Sequence, residues 1–87
     1  MKPVQISIEI PESVLAATNA DATTFAKELR TLAAVKLYEM ARLSSGKAAE
    51  LAGMSRVEFL LNLEKYQIFP FAQELQELEA ERASSNQ

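Results

Sequence analysis

Val4, Ile6, Ile8 and Ile10 alternate with Pro3, Gln5, Ser7 and Glu9. This is the two-residue period of a strand with one apolar and one polar face, and Pro11 closes it. A lone strand is not stable in water. The only other extended stretch is "QIFPF" at residues 67–71, where Pro70 has no N–H to give a ladder. The pattern therefore predicts that Val4, Ile6, Ile8 and Ile10 pair with their own copy in a second chain. "PESVLAA" then predicts a short helix with Pro11 near its start.

A helical period takes over after Asp21 or Thr23, either of which can cap a long helix running to about Arg42. Ala22, Ala26, Leu29, Ala33, Leu37 and Met40 recur at steps of three and four, with Phe25 and Leu32 widening the stripe. This stripe is the expected core face. Lys27, Glu28, Thr31, Glu39 and Arg42 fall on the other side, and Lys36 interrupts the apolar arc between Leu29 and Leu32. Lys36 has two readings: methylenes that pack while the amine reaches water or a carboxylate, or a charge facing a partner at a subunit junction.

Two short helices follow. Ser44 or Ser45 caps the first, from Lys47 to Ala52, and Gly53 supplies the left-handed residue that ends it. Ser55-Arg56-Val57-Glu58 is a capping box that opens the second, which continues to about Tyr66. Beyond "IFPF", residues Phe71, Leu75 and Leu78 form a narrow apolar seam among Gln and Glu, and "RASSNQ" is expected to be disordered.

The predicted architecture is mainly α: an N-terminal β-strand paired across a dimer, a long central helix, a helix-turn-helix, and a C-terminal acidic helix or tail. Residues 1–68 form the domain, with the helix-turn-helix at 44–66, and residues 69–87 the tail. At 87 residues, one small core only just offsets the entropy of folding, and a symmetric partner would help. No apolar run approaches the ~20 residues that span a bilayer, and "MKPVQISIEI" lacks the continuous apolar block of a signal peptide. No membrane partner is expected, and the chain reads as cytoplasmic.

The formal charge of −3 argues against nucleic acid only until it is divided along the chain. Residues 1–43 hold five basic and five acidic side chains, and residues 44–67 hold three of each. The excess comes from Glu74, Glu77, Glu79 and Glu81 against Arg82. A balanced body with an anionic tail neither supports nor excludes DNA binding.

In a helix-turn-helix, two helices cross over a tight turn, which requires small residues at the crossing, a Gly in the turn and an apolar anchor in the second helix. Ala48, Ala49 and Ala52 meet the first need, Gly53 the second, with Met54 beneath the turn, and Phe59 with Leu63 the third. Phe59, Leu60, Leu63 and Tyr66 make a core arc, Val57 and Leu61 project elsewhere, and Glu58, Asn62 and Lys65 form the polar strip. Arg56 can contact guanine or phosphate and Asn62 can pair with adenine, while Ser45, Lys47, Ser55 and Lys65 can hold the phosphate backbone. Against this, Glu58 repels phosphate, and Val57 with Leu61 can meet another helix. Both readings stand. The strand offers a further reader, as in ribbon-helix-helix repressors, through Lys2, Gln5, Ser7 and Glu9. Glu9 counts against that role and favours a dimer clasp.

With no His and no Cys, the commonest general base and the soft metal ligands are missing. The sequence has no Gly-rich phosphate loop. We expect neither catalysis nor a metal or other cofactor; a carboxylate-based hydrolase is the remote alternative.

The run "RLSSGKAAELAGMSRVEFLLNLEKYQI", preceded by "ELRTLAAVKLYEMA" and by a strand ending "IPESVL", resembles the small prokaryotic proteins of uncharacterised protein family zero-one-seven-five. The likeness covers about Val4 to Ile68. Its most specific part is "GKAAELAG" followed by a serine-capped helix with Phe59, and Tyr38 also matches. The sequence departs from the usual pattern at Leu61 and Asn62, where polar then apolar is expected. The resemblance implies an antitoxin-like or regulatory protein, often encoded beside a PIN-domain ribonuclease toxin. On that reading Phe71, Leu75 and Leu78 supply burial against the toxin, while Glu74, Glu77, Glu79 and Glu81 face its basic RNA surface. The alternative for the tail is a short helix folded back on its own domain or its dimer mate. The alternative for the whole is a protein-interaction or assembly module with no nucleic-acid binding.

Overall fold

The computed structural model describes residues 2–70. In chain order the elements are α1 (Glu12–Thr18), α2 (Ala22–Glu39), α3 (Ser45–Ala52), α4 (Arg56–Asn62) and a 3₁₀ turn, Leu63–Tyr66, that prolongs α4. The described part is mainly helical, as the periodicity predicts. Residues 2–10 carry no ladder among the described residues. Phe71, Glu74, Leu75, Glu77, Leu78 and Glu81 lie outside the described residues.

Helix starts follow the local chemistry. Asp21 caps α2 by accepting the Thr24 N–H at 2.8 Å, and Ser44, rather than Ser45, caps α3 by accepting the Lys47 N–H at 3.2 Å. α1 has Pro11 before its first turn and buries none of its residues.

The ends of α2, α3 and the 3₁₀ turn share one device. After α2, the Arg42 N–H donates to the Leu37 carbonyl at 2.8 Å and the Ala41 N–H to Tyr38 at 2.9 Å, the paired bonds of a Schellman motif. Met54 and Gly53 repeat it after α3, donating to Ala49 at 3.0 Å and Glu50 at 3.2 Å. Ile68 and Gln67 repeat it again, donating to Leu63 at 3.1 Å and Glu64 at 3.0 Å. The left-handed residues of these three turns are Ala41, Gly53 and Gln67, at φ of 60°, 73° and 58°, and Asn19 after α1 is left-handed too, at φ 56°. α2 therefore ends at Glu39 and not at about Arg42, because Ala41 adopts the left-handed conformation and turns the chain toward α3.

The core gathers Ala34, Val35 and Tyr38 of α2, Ala48 and Ala49 of α3, and Phe59, Leu60 and Leu63 of α4 and its extension. α2 packs on α3, and α3 on α4. Tyr38 and Phe59 meet edge to face, with ring centroids 5.6 Å apart at 84°. This geometry adds about 0.5–1.5 kcal/mol beyond the burial itself.

The core face of α2 is not the stripe that the periodicity singles out. Ala22, Ala26, Leu32, Ala33 and Met40 are exposed, and Phe25, Leu29 and Leu37 are only half-buried. At 100° per residue, Ala34, Val35 and Tyr38 lie on the side opposite that stripe. α2 is apolar on two sides, and its own chain buries the narrower one. Lys36, on the outer side, pairs with Glu39 at 2.7 Å with both groups largely in water.

Candidate nucleic-acid interface

α3 and α4 form a corner closed at each joint. The small side chains Ala48 and Ala49, 0% and 2% exposed, let α3 approach α2 and α4 closely. Gly53 turns the chain, and a Cβ at Gly53 would meet nothing within 4 Å, so the glycine is needed for its φ and not for space. The capping box then starts α4: the Glu58 N–H donates to Ser55 Oγ at 3.1 Å and the Ser55 N–H to Glu58 Oε1 at 3.2 Å. Met54 is partly buried against the core beneath the turn.

Family membership now rests on more than a resemblance. A family model matches residues 1–87. The chain belongs to the Uncharacterised protein family (UPF0175). No curated protein and no solved structure matches it at a significant level.

The polar residues of this UPF0175 corner divide by how firmly the fold holds them. Arg56 Nε donates to Ser45 Oγ at 2.9 Å, and Ser45 is 2% exposed. Ser45 is therefore buried beneath the α3–α4 junction instead of standing where a phosphate could reach it. Asn62 Nδ2 donates to the Glu58 carbonyl at 2.7 Å and lies 3.9 Å from Met54 Sδ. That amide closes a turn of its own helix. Ser55 is engaged in its cap. Lys47 and Lys65 are exposed, and Lys47 pairs with Glu50 at 3.1 Å in the open. An exposed pair of this kind is worth about 0–1 kcal/mol, so parting Lys47 from Glu50 costs little. Moving Arg56 or Asn62 onto a base edge would instead break bonds inside the corner.

The expected core arc of the second helix is present, with Phe59, Leu60 and Leu63 buried and Tyr66 packed against them. Val57 also packs against this core, so it does not project from a separate side. Leu61 is 40% exposed. Two side-chain links escape a residue-by-residue reading of the UPF0175 sequence. One is the Arg56–Ser45 bond, and the other is Arg30 Nε, which donates to the Leu51 carbonyl at 2.9 Å. This second bond satisfies a carbonyl at the end of α3, where a cation is also favoured by the helix dipole. Spacing gives no hint of either, because the partners lie 11 and 21 residues apart along the chain. Among the described residues no helix is long and apolar enough to cross a membrane.

Proposed function

We propose that the protein is a non-catalytic regulator of antitoxin type, working as a homodimer that holds duplex DNA by its phosphates and a partner protein by its acidic C-terminal segment. The observation that carries this reading is the closed α3–Gly53–α4 corner, with Lys47 and Lys65 exposed upon it. Contacts of this kind position a protein on a duplex without reading its sequence. For the partner, the seam of Phe71, Leu75 and Leu78 among glutamates suits a protein with a basic, apolar-floored groove, such as a PIN-type ribonuclease toxin.

The test is fluorescence anisotropy with DNA from upstream of the gene, repeated between about 50 and 200 mM salt. Binding should weaken steeply with salt, and Lys47→Ala or Lys65→Ala should each reduce the salt slope by about one. Absence of binding at the lowest salt sinks the DNA arm. A protein-interaction module without nucleic acid is the second reading. It is favoured by the engagement of Arg56 and Asn62 inside the corner, and it predicts partner capture that is lost in Leu75→Asp with no DNA binding at all.

A further inference from the structure

Of the two apolar sides of α2, one is covered by α3 and α4. The other, with Phe25, Leu29 and Ala33, forms an open groove of about 820 Å³ together with Val4, Ile6 and Ile8 of the N-terminal segment. Those three segment residues are 83%, 77% and 63% exposed. Alternating aliphatic side chains left this open mark a surface that another surface covers. The backbone of the same segment has no ladder among the described residues, so it offers a row of donors and acceptors for strand addition.

We propose that this face is the homodimer interface: the N-terminal segments of two copies pair antiparallel about a two-fold axis, and residues 4, 6 and 8 of each fill the groove over α2. The inference rests on the two-chain reading above and names its surface. Three observations select a second copy as the occupant. In an antiparallel pair, directly opposite residues share a face, so apolar meets apolar only where the two paired numbers sum to an even value. Centring on Ile6 satisfies this, setting Val4 against Ile8 and Gln5 against Ser7, while Glu9 meets Pro3 and Lys2 meets Ile10. No like charges oppose each other. Pro11 ends the pair at an ordinary strand length, and Pro3 lies one residue from its other end on what is an edge strand, where proline is tolerated. Finally, Val4, Ile6 and Ile8 are each more than half exposed, and apolar side chains of this kind fill the centre of a homodimer interface.

The experiment is sedimentation or light scattering on the full chain at tens of micromolar. The expected mass is twice the 9.6 kDa of one chain. Ile6→Asp and Leu29→Asp should each weaken association at least a hundredfold while far-ultraviolet circular dichroism retains the helices, since neither residue belongs to the Tyr38–Phe59 core. If either variant fails to fold, Ile6→Cys decides: the protein has no cysteine, and a residue on the two-fold axis faces its own copy within disulfide reach. Mild oxidation should then link two chains, and a protein that stays single overturns the proposal. A dimer unaffected by both aspartates overturns this interface but leaves the two-chain reading standing. A wild-type monomer overturns both. A dimer that binds no DNA leaves the interface intact and defeats only the DNA arm.

Discussion

The ring edge of one of Tyr38 and Phe59 meets the face of the other at 84° with centroids 5.6 Å apart, and both side chains are almost wholly buried. This contact joins α2 to α4 across a separation of 21 residues, within a core of eight buried apolar residues among those described. Phe59→Ala should cost about 3–5 kcal/mol. A domain of this size has little more than that to lose, so the variant should show no cooperative thermal transition. Overpacking the same region from the α3 side, with Ala48→Leu at a fully buried position, should cost about 1–3 kcal/mol, read as a lower urea midpoint at an unchanged slope.

Ala41 and Gly53 end neighbouring helices in the same left-handed conformation, yet only one of them is a glycine. Ala41→Gly should therefore stabilise the protein by about 0.5–1 kcal/mol, and Gly53→Ala should destabilise it by a similar amount. A Cβ at Gly53 has room, so the second effect is backbone strain alone. Thermal melts of the two variants and their double mutant check the pair. Opposite shifts that nearly cancel are the expected result.

The Arg56–Ser45 bond makes a warning for any DNA-binding experiment. Ser45→Ala should destabilise the corner by about 1–2 kcal/mol through loss of a partly buried bond to a charged donor. Arg56→Ala should do at least as much. A fall in DNA affinity in Arg56→Ala therefore indicates a direct contact only if Ser45→Ala, at matched stability, leaves affinity unchanged. An equal fall in both variants shows that Arg56 acts by holding α3 against α4.

The Asp21 carboxyl is held below the usual carboxylate range, chiefly by the hydrogen bond it accepts from the Thr24 N–H, with the Thr24 side chain adding to it. A depressed value means that the folded state favours the ionised form. The cap's contribution is thus fully present above the ordinary carboxylate pKa and is lost as pH falls through the lower, folded value. Acidification should fray the start of α2, seen as faster amide exchange over residues 22–25. Asp21→Asn keeps an acceptor without the titration and should flatten that part of the pH profile.

Capping was legible from the sequence because it is local: Asp21, Ser44 and Ser55 find their partners three residues on, so spacing alone exposes them. The packed face of α2 was not. Its eighteen residues carry apolar side chains on both sides, and a helical period says only that a face is apolar, not which neighbour meets it. Ala34, Val35 and Tyr38 win because the turn at Ala41 brings α3 to their side. Arg56 and Asn62 show a second limit of reading residues one at a time. Arg56 near the start of the second helix and Asn62 at its end both resemble base readers; the bond that engages Arg56 depends on where Ser45 comes to rest, and Asn62 turns back on the Glu58 carbonyl of its own helix.

Both joints flanking α3 are closed by main-chain hydrogen bonds, and α4 is oriented by its buried side. What α4 displays is thus largely uncoupled from how it is held. Leu61, Glu64 and Lys65 can be exchanged without re-aiming the rod that bears them. Related chains, or a protein engineer, could rewrite what this corner greets while keeping its posture.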